Sequence, residues 1–266
     1  MKITIVTISF NQAQFLRECM ESVLNQDYFD FEYIVVDPGS TDGSLEIIKS
    51  YSDRIICVFE KDAGAADGLN KGFARATGDI FFYLNSDDVL LPGALKVASS
   101  YFNKFSDIDV LCGNAYITDA RSKRVRKVYS DSFDLTAAAY GAVVSIQPST
   151  FFRRKAFEKS GRFNVTNRSN WDGELLIDMA MSGAKVRNID AFLSCYRVHS
   201  ASITGTGRLA SVHVQHSKNM FNKILGRPYR ESDHIWTIYY RLKKHLLHPR
   251  ATFERVISGP VFGTKK

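Results

Sequence analysis

Two adjacent acids, Asp87 and Asp88, follow the apolar segment 79–85 and carry the clearest chemistry in the chain. Neighbouring carboxylates repel one another, and burial without a partner penalises each of them further. A divalent cation removes that repulsion, and hard cations bind carboxylate and phosphate oxygens together. The pair therefore predicts a metal site. The alternative is that one of the two acids caps a helix that begins near Pro92.

The segments around these acids alternate between strand and helix patterns. Apolar runs rich in β-branched residues predict strands, and apolar side chains at helical spacing predict the helices between them. Strands separated by such helices indicate an α/β fold with a mostly parallel central sheet flanked by helices. The predicted strands are residues 3–10, 31–37, 54–60, 79–85 and 108–118, and the helices are 15–26, 44–51, 66–77 and 91–105.

Polar loops follow the first four of these strands. They are residues 9–12, 37–44, 60–67 and 85–88, and each is rich in acids, amides or hydroxyls. The carboxyl ends of parallel strands meet at one edge of the sheet, and ligands of open α/β sheets bind beyond that edge. We therefore expect the four loops to form one site.

The loop after the second strand, DPGSTDGS, is a tight turn in which Gly39 and Gly43 permit unusual backbone angles. The hydroxyls and the acid at 40–42 are suited to capping the next helix. Asp37 stands at the end of the strand itself. Its carboxylate is suited to accept the imide N–H of a uracil ring, or to hold the turn in place.

The second half of the chain is more mixed. Residues 121–133 predict a hairpin or an edge strand, 147–161 a strand running into a short helix, and 184–199 two short strands. The segment 171–183 is an amphipathic helix that ends at a glycine. Asp172 lies at its start, where a carboxylate either caps the helix or is available as a base.

Four stretches together resemble glycosyltransferase family 2. They are residues 5–26, 33–48, 62–90 and 148–163, which include VVDPGSTDGS and FFYLNSDDVL, and the resemblance covers roughly residues 1–200. Members of this family are inverting, nucleotide-sugar-dependent enzymes with the Rossmann-like GT-A fold. Neither a GxGxxG nor a GxxxxGK[ST] motif is present, which removes the main support for a dinucleotide or P-loop site.

The resemblance implies contacts with the donor substrate. The loop after the first strand and the end of the second would hold the base and ribose, and the third loop would line the sugar-nucleotide side. Arg197, in CYRVHSASIT, would lie beside the diphosphate. The residues concerned are Thr7, Ser9, Asn11 and Asp37 for the base and ribose, and Asp62, Gly64, Asp67, Asn70 and Lys71 for the sugar-nucleotide side.

The resemblance also implies the metal and catalytic residues. Asp88 would be the direct ligand of Mn²⁺ or Mg²⁺, with Asp87 assisting it or holding the ribose, and His199 would add a metal contact. Asp172 would be the catalytic base. Trp171 and Glu174 would contact the acceptor. The chain departs from the family pattern where acids are usual, at Pro38, Asn85 and Trp171.

Inverting transfer is a single displacement, in which an acceptor hydroxyl attacks the anomeric carbon as the nucleoside diphosphate leaves. A carboxylate must accept the hydroxyl proton, a role that contributes about 10²–10⁴-fold. A divalent cation stabilises the charge that develops on the diphosphate. No QxxRW segment and no run of membrane-spanning length follows, so we expect a non-processive enzyme.

The C-terminal residues differ in charge from the rest. Residues 205–266 carry 12 Lys and Arg against 3 Asp and Glu, which leaves 23 basic and 25 acidic residues in 1–204. We expect a catalytic domain over 1–204, a basic helical extension over 205–266, and no nucleic acid partner. A helix over 234–247 would rest on anionic lipid, on the domain or on a second subunit of a homodimer. Its apolar face is Ile235, Ile238, Tyr239, Leu242 and Leu246.

The expected function is transfer of one sugar from a UDP-sugar to a glycan or lipid-linked acceptor in cell-surface polysaccharide biosynthesis. The alternative is a catalytically inactive nucleotide-sugar-binding or membrane-associated interaction module. The first residues do not read as a signal peptide. The four cysteines are far apart, which favours buried free thiols in a reducing compartment. We therefore expect a cytoplasmic protein, peripheral to the membrane if the extension binds lipid.

Overall fold

A nine-stranded mixed sheet forms the centre of the protein in the computed structural model, which describes residues 1–200 and 210–259. The spatial order of the strands is β3-β2-β1-β4-β8-β6-β9-β5, and β7 pairs with β6. The strands are β1 Ile3–Ile8, β2 Phe31–Val36, β3 Ile56–Val58, β4 Ile80–Asn85, β5 Val89–Leu90, β6 Val110–Thr118, β7 Arg124–Val128, β8 Thr150–Arg153 and β9 Val186–Arg197.

Strands β1 to β4 form the parallel half of the sheet. Ile3 of β1 pairs with Phe31 of β2 and Ile80 of β4, and Ile8 pairs with Val36 and Asn85. Strand β3 continues the parallel pairing along β2. The carboxyl ends of all four strands therefore lie at one edge, which confirms the predicted arrangement of the four polar loops.

The other half of the sheet is antiparallel in part. Strand β8 inserts between β4 and β6 and runs antiparallel to both, while β6 and β9 are parallel. The prediction of two short strands within 184–199 is wrong, because β9 is one strand of 12 residues. Its pairing with β6 changes register between the pair Cys112–Asn188 and the pair Asn114–Phe192, and the strand continues through this irregularity.

Ten helices surround the sheet in the described part of the chain. Those flanking the parallel half bury apolar side chains in two clusters, one on each face of the sheet. The helices are α1 Ala13–Leu24, α2 Ser44–Lys49, α3 Ala65–Phe73, α4 Ala94–Lys104, α5 Leu135–Ala139, α6 Arg154–Lys159, α7 Trp171–Met181, α8 Ala210–Leu225, α9 Asp233–Leu247 and α10 Pro249–Ser258.

Helix α3 lies unusually close to the sheet. A Cβ at Gly72 would lie 2.5 Å from Cγ1 of Val6, so only glycine lets the helix rest directly on β1. Leu69 and Phe73 of the same helix are buried against this face. The close contact fixes the polar loop before α3 at the carboxyl edge of the sheet.

Helices α8 to α10 pack on the second half of the domain. Phe221 of α8 meets the ring of Tyr140 at 5.4 Å, and Tyr240 of α9 stacks on the same ring at 5.2 Å. The predicted apolar face of α9 nevertheless points away from the domain, so the alternative that this face packs on the domain is wrong. The expected boundary at residues 204 and 205 lies outside the described residues and stays a prediction.

All four cysteines are free thiols, as expected. Within residues 1–200 and 210–259, no helix is both long and apolar enough to cross a membrane.

Candidate functional site at the carboxyl edge of the sheet

The loops after β1 and β2 are joined by reciprocal hydrogen bonds. Asn11, with φ of 52°, accepts from the Thr41 N–H at 2.9 Å, and its own N–H donates to the Ser40 hydroxyl at 2.8 Å. Asp42 accepts from the first N–H of α1, that of Ala13, and from Ser44 at the start of α2. One carboxylate thus satisfies donors of two helices, rather than capping α2 alone as the sequence indicated.

Two of the residues predicted to bind the nucleotide are buried beneath these loops. Thr7 is enclosed and accepts from the Tyr33 hydroxyl at 2.9 Å. Asp37 is enclosed as well, and it accepts from Gly39 N–H, Ser40 N–H and the Ser40 hydroxyl. Its geometry fits the structural alternative, in which the carboxylate holds the turn.

Ser9 is different from these neighbours. Its hydroxyl is buried at the end of β1, and no partner in the described ranges meets hydrogen-bond geometry with it. A buried hydroxyl without a partner is unfavourable. A ligand group that reached this oxygen would supply the missing hydrogen bond.

The loop between β3 and α3 folds around its own acids. Asp62 accepts from the Gly64 N–H at 2.9 Å, and a Cβ at Gly68 would lie only 2.8 Å from its second oxygen. Asp67 accepts from the Ala63 N–H and pairs with Lys71 at 3.1 Å. These contacts fix the conformation of the β3–α3 loop at the carboxyl edge of the sheet.

Asn70 joins this loop to the chain before α7. Its amide donates to the Phe163 carbonyl at 2.9 Å and accepts from the Phe163 N–H at 3.1 Å. The Arg168 guanidinium donates to the Ala63 carbonyl and lies against Gly64, where a Cβ would be 2.6 Å from it. Sequence reasoning missed Arg168, whose segment contains no motif of fixed spacing.

Asp87 and Asp88 occupy the turn between β4 and β5. Strand β5 pairs Val89 with Cys195 of β9, which brings the two acids against the end of that strand. The residue at the N-cap of α4 is Gly93, so neither acid caps that helix and the capping alternative is wrong. The pair lies at the carboxyl edge of the sheet, and the predicted metal site stays a prediction.

Asp88 is 1% exposed, and one of its two oxygens lacks a partner. Oδ1 accepts from the Arg197 N–H at 2.9 Å, whereas no donor among the described residues meets hydrogen-bond geometry at Oδ2. Burial, followed by the charge of Asp87, raises the pKa of Asp88 well above its ordinary value. A cation at Oδ2 would supply the missing interaction, so this carboxylate fits a metal ligand.

Arg197 lies within this network. Its guanidinium is buried and donates to the Asp87 carbonyl at 2.6 Å, the Ser122 hydroxyl at 2.8 Å and the Glu18 carboxylate at 2.7 Å. These bonds occupy all three guanidinium nitrogens. The side chain thus holds the acidic turn in position, and its implied place beside the diphosphate stays a prediction. Glu18 of α1 was not singled out from the sequence, because its partner is 179 residues away.

His199 contacts Asp87 on the other side of the turn. Its Nε2 lies 3.2 Å from Oδ2 of Asp87, and its ring packs at 4.7 Å from that of Phe15. In the described ranges, no group of three or more His, Cys, Asp or Glu side chains is placed to hold a metal ion. A cation here would therefore need oxygens from substrate or water, as Mg²⁺ commonly does.

Asp172 is the second residue of α7, whose N-cap is Asn170, so the alternative that Asp172 is the N-cap is wrong. It lines a small cavity with room for little more than a water molecule, whose other walls include the apolar side chains of Phe152, Leu175, Leu176 and Met179. Tyr83 and Gln147 line the same cavity. Burial, then the charges of Asp172 and Asp88, raise the pKa of Tyr83, so both carboxylates act on one phenol.

Gln147 connects this cavity to the acidic turn. It accepts from the Asn85 amide at 3.0 Å and donates to the Tyr83 carbonyl at 2.8 Å. The Asn85 carbonyl in turn accepts the Asp88 N–H at 3.0 Å. Sequence reasoning missed Gln147, although its place directly before the apolar run of β8 was a usable signal.

The predicted acceptor residues have different surroundings. Trp171 is half-buried against Tyr83 at 5.5 Å and Phe163 at 5.6 Å, beside the cavity. Glu174 instead accepts from Asn164 at 3.1 Å and Asn167 at 2.7 Å, and pairs with Lys223 of α8 at 3.5 Å. Its carboxylate joins α7, the preceding loop and α8.

The fold is shared with glycosyltransferases of known structure. The TarS 1–349 fragment of S. aureus in complex with UDP-GlcNAc superimposes with a TM-score of 0.64 at 18% identity, over 85% of this chain and 72% of that one. The mannosyltransferase PcManGT of Pyrobaculum calidifontis, in complex with GDP-Man and Mn²⁺, gives 0.65 at 19%, over 96% and 73%. The mixed sheet with its flanking helices is thus the GT-A fold of a glycosyltransferase.

The sequence matches Glycosyl transferase family 2 over residues 4–161, and the chain belongs to that family. An uncharacterized glycosyltransferase of Nostoc sp. is 30% identical over 216 residues, which are 76% of this chain and 66% of the relative. The chain thus spans slightly less than two thirds of that relative. The resemblance stated from the motifs is confirmed for the family and for the fold.

Proposed function

We propose that the chain transfers a single sugar, with inversion, from a UDP-sugar to a glycan or lipid-linked acceptor in cell-surface polysaccharide biosynthesis. One observation carries the proposal. The buried Oδ2 of Asp88 has no partner among the described residues, at the same edge as the cavity lined by Asp172. A buried carboxylate with one oxygen incomplete, together with Asp172 as a second carboxylate, would suit metal-assisted group transfer.

The donor would lie across the loops that follow β1, β2 and β3. The Ser9 hydroxyl, which no described residue bonds, is one group in those loops that would suit a ligand contact. The TarS fragment was solved with UDP-GlcNAc, which supports a uridine donor. Thr7, Asp37 and Asn70 would act through the loops they hold rather than through contact.

Asp88, assisted by Asp87, would hold Mn²⁺ or Mg²⁺, and His199 would orient Asp87. The ion, when bound, would supply positive charge for the leaving diphosphate. The Mn²⁺ complex of the related mannosyltransferase supports a divalent ion. Arg197 would fix the position of both acids, since its N–H and guanidinium bond to Asp88 and to the Asp87 carbonyl.

The reaction would be one displacement at the anomeric carbon. The Asp172 carboxylate takes the proton of the acceptor hydroxyl while that oxygen forms the new bond to the anomeric carbon. The bond from that carbon to the diphosphate oxygen breaks, and UDP leaves with the electron pair. Attack from the face opposite the leaving group inverts the configuration. Trp171 would form one wall for the acceptor beside Tyr83.

A UDP-release assay tests the proposal. The chain is incubated with a panel of nucleotide sugars, first with manganese and then with chelator, and UDP binding is followed by calorimetry. We expect manganese-dependent UDP release from at least one donor. UDP binding without release from any donor, with acceptor glycans and lipid-linked acceptors supplied, would favour an inactive binding module. If the chain neither binds UDP nor releases it from any donor, the proposal is overturned.

A further inference from the structure

Helix α9 packs on the domain through its polar side. Asp233 accepts from the Tyr140 hydroxyl at 3.1 Å and pairs with Arg227 at 2.7 Å. About three turns further on, Lys244 pairs with Asp131 at 3.3 Å, and both of these side chains are largely buried. The positions facing the domain are therefore charged or polar, with Tyr240 between them.

The opposite side of α9 is apolar and exposed. Ile235 is 71% exposed and Leu246 is 82% exposed. The exposed side chains of Ile238, Tyr239 and Leu242 lie on the same face of the helix, between these two residues. This is the reverse of an ordinary surface helix, whose apolar stripe faces the core. The exposed apolar side chains of α9 are Ile235, Trp236, Ile238, Tyr239, Leu242, Leu246 and Leu247.

Helix α10 repeats the arrangement. Arg255 pairs with Asp131 at 3.1 Å, Glu254 lies 3.9 Å from Arg126, and Arg126 also donates to the Ser258 carbonyl. The outward side carries Phe253, Val256 and Ile257, and Val256 is 79% exposed. Two consecutive helices thus turn polar side chains toward the domain and apolar ones outward. Isolated exposed apolar residues are common, but a two-helix face of this kind marks an interaction surface.

The charges beside this face are positive. Arg241 and Lys243 are exposed and lie on its two flanks at helical spacing. The acids of the two helices, Asp233 and Glu254, both bond toward the domain. The outward surface of α9 and α10 therefore combines aliphatic and aromatic side chains with cations.

We propose that this face, termed the α9–α10 face, docks on a membrane surface that contains anionic phospholipid. Aliphatic side chains would enter the acyl boundary, Trp236 and Tyr239 would lie at headgroup level, and Arg241 and Lys243 would meet lipid phosphates. A second copy of the chain is a poorer occupant, because two identical cationic flanks would repel each other across a twofold axis. Lipid docking does not depend on the proposed reaction, although a lipid-linked acceptor would then share a surface with the enzyme.

Vesicle flotation of the full chain tests the docking. We expect binding to vesicles that contain phosphatidylglycerol and little binding to phosphatidylcholine alone. The triple variant I235S/L242S/L246S should weaken binding at least about a hundredfold, because three aliphatic side chains no longer leave water. The variant R241E/K243E should weaken it at least about tenfold and remove its dependence on salt.

The matched control is Phe29→Ser, which removes an apolar side chain that is 95% exposed in the loop before β2. It should leave vesicle binding unchanged, and all variants should keep the unfolding temperature of the parent chain. Equal flotation of the triple variant and the parent would overturn the proposal. So would a dimer seen by light scattering that the triple variant abolishes, because the face would then join two copies of the chain.

Discussion

Asp88 and Glu174 are both buried carboxylates, but their partners differ. Glu174 accepts from two asparagine amides and pairs with Lys223, and although burial raises its pKa, these contacts lower it overall. Asp88 accepts one N–H at Oδ1, and no donor among the described residues meets hydrogen-bond geometry at Oδ2. Burial and the charge of Asp87 raise its pKa, although Arg197 and the Asn85 amide act in the opposite direction.

The difference separates two kinds of polar site. At the junction of α7 and α8 the Glu174 carboxylate has two amide donors and a lysine of the protein itself, so Glu174 stabilises the fold. At the carboxyl edge the protein leaves a carboxylate incomplete, which costs stability and is retained where a ligand completes it. Buried charge alone therefore does not identify a functional site. The proposed metal site rests on a buried carboxylate that the described residues leave incomplete at the carboxyl edge of the sheet.

The largest expected effect is on catalysis at Asp172. Replacing it with asparagine should lower sugar transfer by about 10²–10⁴-fold, because the amide cannot accept the acceptor proton. UDP affinity should change little, since the residue lies at the acceptor side. Initial rates and calorimetry measure the two quantities.

Asp178 on the same helix provides the matched control for Asp172. It pairs with Lys223 at 2.5 Å and faces α8 rather than the cavity. Asp178→Asn should keep the transfer rate of the parent chain. Normal turnover in the Asp172 variant would show that the base is a different residue.

The next effect is on stability at Glu174, whose side chain is 7% exposed. Glu174→Gln should lower the free energy of unfolding by about 3 kcal/mol. The substitution removes one of the partners of Lys223, and it places the NH₂ group of the new glutamine against the NH₂ group of Asn164 or Asn167. Urea unfolding measures this change. An unchanged midpoint would mean that the junction does not depend on the carboxylate, and that the contrast with Asp88 fails.

A smaller effect on the free energy of unfolding is expected at Asp88, and it is opposite in sign to the effect of Glu174→Gln. Asp88→Asn should leave unfolding unchanged or raise its free energy by about 1 kcal/mol, because a buried charge with an incomplete shell is removed. The amide oxygen can still accept from Arg197. Unfolding without nucleotide or divalent ion is the measurement, and a loss as large as that of Glu174→Gln would mean that Asp88 is a structural residue.

The smallest effect is the pH dependence that Glu174 contributes. Its pKa in the folded chain is below the ordinary value of 4.5, so its stabilisation is complete above that value and is lost as pH falls below it. Urea midpoints from about pH 6 to about pH 3 should therefore fall more steeply for the parent chain than for Glu174→Gln. Parallel curves would contradict the lowered pKa.

The carboxyl edge could be predicted from the sequence because strand and helix periods are local. Parallel pairing of the first four strands follows from helical connections, and it carries Asn11, Asp62 and Asp88 to one edge without further information. The capping alternative for Asp172 was wrong by two positions, since Asn170 is the N-cap of α7. Such errors are ordinary at helix ends.

The direction of each side chain could not be predicted, because it depends on distant partners. Thr7 turns toward Tyr33, Arg197 toward Glu18, and Glu174 toward Lys223, at separations that no local pattern encodes. The amphipathic pattern of α9 was correct, but it cannot say which face meets the domain. The polar face packs on the domain because Lys244 and Arg255 pair with Asp131, which is distant in sequence.

UDP binding measured by calorimetry, with and without Mn²⁺, tests the central contrast most directly. The comparison uses the parent chain, Asp88→Asn and Glu174→Gln, the last at a temperature where it is folded. We predict that Mn²⁺ strengthens UDP binding to the parent chain and to Glu174→Gln, and that Asp88→Asn loses this enhancement. Metal-enhanced binding that survives in Asp88→Asn would contradict the account.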